Sequence, residues 1–505
     1  MFNRYKILAA YLLAIPLALI LGILAASPNE LTFMLIGMLL FFLALPVFIK
    51  WHHFFLLISW NSAFSAFFLP GEPTFWLLFA GLSFGLSGLD HVMGRRPFPA
   101  VPEMTRPLLL MAAVVIGTAC YRGGVGTRLL GGAAHGGKNY IYCLGAILGY
   151  FALTAGQIPV LKSQKMAGLF FLSGATNALS NLAYFLGPAF YFFYYLVPVS
   201  TVGGQVASDF GLTDIDRIQG LGLTGLAGMC FLLTRYGIQG LFDWTKPWRF
   251  VFLCLVFVMS CFAGFRSALV LFLLVFAFQF YFEGMLRTRL FPVVVGLAVV
   301  GFVSLMFCAD RLPLSVQRSV SFLPVNVDSE VRADATGSID WRLEIWSVVW
   351  KDAPKYLVVG KGYSFDATEM ESTLEAIQLG LLNNSEEQIL AGSYHNGPLS
   401  VLIPFGIIGS VAFLWVLAAG FRVLYSNLRY GDARLKRINC VLLSCYLARC
   451  FCFVFIFGAL NTDLYLFLGL VGLSVSLNGG AKRKPGSGLE YARESMSQSY
   501  AMEVK

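Results

Sequence analysis

The chain has 505 residues, of which 58% are hydrophobic and 12% charged, with 47 phenylalanines and a mean hydropathy of +0.73. A soluble protein of this composition could not cover its own surface, so the sequence reads as an all-α, polytopic integral membrane protein. Its formal charge of +9 is unevenly placed: the polar stretch from about Asp310 to Gly397 holds 13 of the 27 acidic residues but 7 of the 36 lysines and arginines, leaving it six negative and the remainder fifteen positive.

In chain order, Arg4 and Lys6 precede an apolar run from Ile7 to Ala26, too long for a signal-peptide core and read as a retained span. Further runs follow at 31–49, 54–69, 75–90, 107–121, 139–158, 167–199, 218–235, 249–265, 266–283, 289–309, 398–425, 438–459 and 463–478. These predict about fourteen transmembrane helices (12 to 14). The run 167–199 is over-long and interrupted at Gly187-Pro188, so it reads either as one broken helix or as a helix with a re-entrant piece. Four regions result: N-terminal spans (1–309), a large, mainly helical loop (310–397), C-terminal spans (398–480) and a disordered tail (481–505).

Lys50, Arg95-Arg96 with Arg106, Lys162 with Lys165, Lys246 with Arg249, Arg287 with Arg289, Arg429 to Arg437 and Lys482-Arg483-Lys484 all fall on one side of this count. The positive-inside rule makes that side cytoplasmic. The loops with Asp209, Asp214 and Asp216, and the 310–397 loop, are then extracytoplasmic; the contrary loop is 122–138, with Arg122, Arg128 and Lys138. The ten cysteines lie mostly in apolar runs and none falls inside the large loop. No Cys-x-x-Cys or His-x-x-His spacing occurs, so neither a disulfide framework nor a metal site is expected.

Three arginines do not fit as cytoplasmic anchors. Arg217 opens a span on the outer side, Arg266 stands between two apolar runs, and Arg342 lies in the loop. A guanidinium at membrane depth must face protein, water or an anionic headgroup, and its planar fork suits phosphate. Any one of them alone reads equally well as a structural ion pair or a snorkelling anchor. Within the loop, Asp340 is expected to cap a short helix bearing Trp341, Ile345, Trp346, Val349 and Trp350. A second helix is expected from Asp366-Ala367-Thr368-Glu369 and a third from Ser385. Asn396 can cap the next span, with Pro398 in its first turn, which sets His395, the loop's single histidine, at a helix N-terminus. There an imidazole tends to stay neutral and can act as a base, or it can position substrate by hydrogen bonds.

Arg266 in Gly-Phe-Arg-Ser-Ala, Arg342 in Trp-Arg-Leu-Glu-Ile-Trp, the run Val359 to Phe365, and Tyr394-His395-Asn396-Gly397-Pro398 followed by Phe405-Gly406-Ile407-Ile408-Gly409 together resemble the O-antigen ligase and O-antigen polymerase superfamily. The resemblance spans roughly 217–425. It implies a bacterial inner-membrane glycosyltransferase, active on the extracytoplasmic face, that takes a glycan from a polyprenyl diphosphate carrier without metal, nucleotide or other cofactor. The implied partners are the carrier-linked donor, a lipid A core or glycan acceptor and membrane lipids, with no nucleic acid. His395, Arg266 and Arg342 match the catalytic positions. Arg217, Tyr394, Asn396 and Glu344 are the candidate substrate-binding residues. The chain departs from the family pattern at Phe265, where serine is usual, at Gly397-Pro398, and in its larger span count, so the ligase and polymerase subclasses both stay open.

Two other readings compete. Gly132 to Asn139 nearly matches a phosphate-binding P-loop but ends in Asn139 where Ser or Thr should hold the metal, and reads as a flexible Gly-rich loop. A lipid-linked glycan flippase or other transporter would also bury arginines, but it predicts internal symmetry and polar residues spread along mid-membrane helices. Here the polar residues gather at the outer mouth.

Overall fold

The computed structural model describes residues 30–94, 101–123, 134–197, 215–379 and 384–483, with single positions in 16–22, 202–206 and 381–382. Most of the run 7–26, Arg95-Arg96, Arg128, Asp209, Asp214 and the tail beyond 483 lie outside them. The N-terminal helices are α1 (Glu30–Lys50), α2 (His52–Ser59), α3 (Phe75–Val92), α4 (Pro102–Arg122), α5 (Gly137–Ala155), α6 (Val160–Leu172) and α7 (Ala178–Leu186). The central ones are α8 (Gln219–Leu241), α9 (Trp248–Phe262), α10 (Arg266–Phe282) and α11 (Leu290–Cys308). In the polar segment come α12 (Leu314–Val320), α13 (Ser329–Tyr356), α14 (Ala367–Gln378) and α15 (Asn384–Leu390); α16 (Gly397–Tyr430), α17 (Lys436–Phe455) and α18 (Leu460–Asn478) close the chain.

Nine helical segments among the described residues are long and apolar enough to cross a membrane, and α9 and α10 are shorter apolar helices. The protein is therefore a multi-pass helical membrane protein. α18 is the most buried of the nine, whereas α11 buries none of its side chains. Leu290, Val294, Phe302 and Leu305 pack against the bundle, and the rest of this apolar helix is exposed, which is stable only against hydrocarbon and makes α11 a lipid-facing span.

Several sequence expectations change. The run 54–69 is helical only as far as Ser59, after which the chain turns and forms a bridge between Ser65 and Thr74. Its freed backbone groups find partners in a neighbouring element: the Ala63 N–H donates to Thr176 Oγ1 at 2.9 Å and the Asn61 carbonyl accepts from Asn177 Nδ2 at 3.4 Å. The run 167–199 is a broken helix. A 3-10 turn (Ser173–Asn177) joins α6 to α7, Gly187 stops α7 at φ +86°, and a second 3-10 stretch (Pro188–Tyr195) follows. Asp340 does not cap the first loop helix; it lies in the middle of α13. The helix starts earlier because Asp328 accepts from the Glu330 N–H, and it runs on through Pro354. Asp366 does cap α14, accepting from the Thr368 N–H at 2.9 Å.

Two sequence motifs far apart in the chain turn out to be one piece of structure. α16 breaks at Gly406 (φ +65°), two residues after Pro404, and the unwound carbonyls accept from the other motif: Ile403 from the Lys361 N–H at 2.7 Å, Pro404 from the Gly362 N–H at 3.0 Å. The Ile407 N–H returns to the Leu357 carbonyl at 2.8 Å. A Cβ on Gly360 would lie 2.0 Å from the Pro404 oxygen, and one on Gly406 would lie 2.8 Å from that of Leu357. Glycine is required at both positions by close backbone approach, and at Gly406 by its φ as well. The polar segment is thereby pinned to the helix that leads out of it.

Two of the three cations that break the charge rule in the 122–138 loop, Arg122 and Lys138, have structural partners. Arg122 donates from Nε to the Gly360 carbonyl at 2.8 Å and from Nη2 to that of Val359, so it serves the polar segment and is not an orientation signal. β1 (Ala134–His135) pairs antiparallel with β2 (Phe365–Asp366), and Tyr140 Oη accepts from the Tyr363 N–H. Lys138 reaches the Gly71 carbonyl and Asn139 accepts from Asn461, so the end of the P-loop-like stretch is tied into the scaffold.

The helix ends thus sort into two groups. Near 122, 217, 264 and 457 the connections touch the polar segment or one another, whereas Asn427, Asn439 and Asn478 interlock at the opposite end. Reporter fusions at Ser372 and at the C-terminus are expected to report opposite sides of the membrane; the same side for both would end this topology.

Candidate active site

The site is built around one carboxylate on α13. Asp334 Oδ1 accepts from Arg217 Nη2 and its Oδ2 from Arg318 Nε, each at 2.5 Å. Arg318 also donates to the Gly264 carbonyl, and Arg266 Nη2 to the carbonyl of Ala335 at 3.2 Å. Arg217 precedes α8, and Arg266 opens α10 directly after Gly264, whose φ of +73° turns the chain between α9 and α10. Two connections between apolar helices thus deliver arginines to the same turn of α13.

Arg342 is seven residues beyond Ala335, nearly two turns along the same stripe, or about 10 Å up the axis. Arg318, Arg342 and Arg217 all act on Arg266 as like charges, and Asp334 is the one carboxylate acting on it. Four cations against one anion leave a strongly positive patch. The Nε atoms of Arg217 and Arg342 are buried and donate to nothing among the described residues, which is costly unless a further acceptor completes the site. Beside Arg266 opens a cavity of 330 Å³, lined also by Ser321, Asn326, Arg332 and Thr336.

His395 follows on the same helix surface. Its ring packs between Trp341 (centroids 4.9 Å apart) and Phe457 (5.3 Å), with Ser393 Oγ 3.4 Å from Nε2. Its φ of +50° is left-handed, a conformation that costs a non-glycine residue about 1 kcal/mol or more. The neighbours hold it there: Trp346 Nε1 donates to the Tyr394 carbonyl at 3.0 Å, and Asn396 Oδ1 caps α16 by accepting from the Leu399 N–H at 3.0 Å. Burial first, and the charge of Arg342 second, pull the imidazole pKa down from 6.5 to about 4. The ring is therefore neutral at physiological pH, able to accept a proton.

The sign of the pH dependence follows. Were His395 to act as a base, protonation would silence it, so turnover is expected to rise as pH climbs through about 4 and to be level above it. Arg342→Gln removes the smaller cause and should move that limb upward, though still below 6.5 because burial remains. A single-turnover pH profile of both proteins checks this; a limb at 6.5 in the wild type would contradict it.

Of the seven residues singled out from sequence, Arg217, Arg266, Arg342 and His395 come together along α13. Tyr394 is 2% exposed and packs under the site among Ile345, Val349 and Leu399, while the Asn396 side-chain oxygen Oδ1 is used by its cap. Glu344 lies roughly 200° around α13 from Arg342 and accepts from Ser385 at 3.4 Å, facing α15. Sequence reasoning missed Arg318 and Asp334. Arg318 is 4% exposed, yet in sequence it is one basic residue in an ordinary polar stretch.

Residues 249–414 match the O-antigen ligase family. The matched segment holds Arg266, Arg318, Asp334, Arg342 and His395 together with both interlocking glycine motifs, and leaves out Arg217. It places this part of the chain in the O-antigen ligase and polymerase superfamily, and supports a membrane glycosyltransferase of that general type. No curated protein matches the chain.

Proposed function

We propose that the protein transfers a glycan from a polyprenyl diphosphate carrier to an acceptor hydroxyl at the extracytoplasmic face of a bacterial inner membrane. What supports this most is the gathering of four arginines along α13, two of them on Asp334, next to a half-buried neutral histidine. A donor diphosphate carries the charge that this cluster lacks, and the orphaned Nε donors of Arg217 and Arg342 supply hydrogen bonds to its oxygens. His395 takes the proton of the acceptor hydroxyl as that oxygen attacks the anomeric carbon. The bond from this carbon to the diphosphate breaks, and the leaving group keeps the electron pair against the arginines. Arginine stays protonated and cannot be the base, which leaves that part to His395.

The chemistry runs on fixed cations and needs no metal. Purified protein supplied with carrier-linked glycan and acceptor is expected to transfer undiminished in excess chelator; a strict requirement for Mg²⁺ would reverse this reading, and movement of the donor across vesicles without transfer would identify a flippase. Two acceptors suit the site: a lipid A core sugar, as in a ligase, or the terminal sugar of a second carrier-linked repeat, as in a polymerase. Gene disruption separates them on a lipopolysaccharide gel. Loss of all polymer means ligase, and single repeats left attached mean polymerase.

A further inference from the structure

At the end of the molecule opposite His395, a second basic pocket of 370 Å³ opens between α4 and α16. Arg106, Arg422 and Arg483 line it together with Glu103 and Trp415. The pocket's one carboxylate is already engaged, since Arg483 Nη2 donates to Glu103 Oε1. Arg106 and Arg422 are exposed and have no hydrogen bond or ion pair among the described residues. Two guanidinium groups therefore remain for an anion.

Depth along the helices indicates which anion. α16 has 34 residues, about 51 Å at 1.5 Å per residue, so a hydrocarbon layer of about 30 Å that begins near Gly397 ends near residue 417. Trp415 then sits at the boundary and Arg422 at headgroup level, as does Arg106 in the second turn of α4. Above the pocket the same two helices show apolar side chains outward: Leu109 and Ile116 on α4, Val411 and Leu414 on α16, each about half exposed. A headgroup held by the arginines would lay its acyl chains along that stripe.

We infer that this pocket is a binding site for an anionic phospholipid, with Arg106 and Arg422 on its phosphate, Trp415 at the glycerol level and the α4–α16 seam under its chains. The recognition is charge plus an adjoining apolar wall, so a soluble phosphate offers only half of it.

The test uses the full-length protein, purified, delipidated and titrated with phosphatidylglycerol or phosphatidylcholine, with bound lipid counted by native mass spectrometry. Phosphatidylglycerol is expected to bind about tenfold or more tightly than phosphatidylcholine, and Arg106→Gln with Arg422→Gln to erase that preference. Arg287→Gln with Arg289→Gln removes equal charge at the same end of the molecule, outside the pocket, and should leave the preference intact. Each single variant is expected to weaken phosphatidylglycerol severalfold, which keeps the test available if the double variant fails to fold. Equal retention of both lipids, an equal loss in the Arg287/Arg289 control, or unchanged binding in both single variants would overturn the proposal. Displacement of the lipid by equimolar inorganic phosphate would overturn it too, since the site would then be one for a soluble anion.

Discussion

Replacing His395 by Gln is expected to lower turnover by about 10²- to 10⁴-fold while donor binding survives. Glutamine keeps a hydrogen-bonding group of similar reach but cannot accept a proton, so the variant separates base catalysis from positioning. The left-handed backbone at 395 is strained for glutamine about as it is for histidine, and the Trp346 and Asn396 bonds that hold the turn do not involve the side chain. Folding should therefore be little changed, and a thermal melt near the wild type's would confirm that the loss is chemical. Single-turnover transfer with a saturating carrier-linked donor is the measurement. Near-normal turnover in the glutamine variant would make His395 a positioning residue. The base would then be sought among the carboxylates of this segment, beginning with Glu344, which lies one turn from Trp341 on α13 and accepts from Ser385 at 3.4 Å.

Arg266→Lys is expected to cost about 10- to 100-fold in transfer, although the charge is kept. A lysine offers a point charge without the planar fork, so one of two parallel charge-assisted hydrogen bonds to a phosphate disappears, worth about 1.5 to 3 kcal/mol. The bond from Nη2 to the Ala335 carbonyl goes as well, loosening α10 from the turn that holds Asp334. Membrane insertion should be normal, since the position stays basic and the apolar run of α10 is untouched. Weaker donor binding together with slower transfer would fit a clamp on the diphosphate. Full activity in the lysine variant would mean that charge alone explains the residue.

Much of this molecule could be read before any coordinates. Fourteen apolar runs announce a multi-pass membrane protein because a helix in hydrocarbon must satisfy its backbone internally and show apolar side chains outward, and both demands are local. The caps at Asp366 and Asn396 are local too: a short acceptor side chain next to free N–H groups within three residues. Arg217 and Arg266 stand out because a guanidinium at the edge of an apolar run is expensive wherever the chain goes, and Arg342 through its place in Trp-Arg-Leu-Glu-Ile-Trp.

The tertiary structure decided what those residues face. Asp334 is an unremarked acid in a polar stretch until α12 and α13 fold back to bring Arg318 and Arg217 to its two oxygens, 16 and 117 residues away in sequence. Nothing local encodes that, since an ion pair depends on distance in space and not along the chain. The run 54–69 was apolar enough for a span yet stops at Ser59, because the side chains of Thr176 and Asn177 offer its backbone other partners. Arg122 looked misplaced under a charge-counting rule until the Gly360 carbonyl appeared beside it. Solvent preference along a chain is additive and shows in the sequence. Which buried groups meet depends on the packing of the whole bundle, and that is where the arginine cluster, the interlocked glycine motifs and the burial that keeps His395 neutral arise.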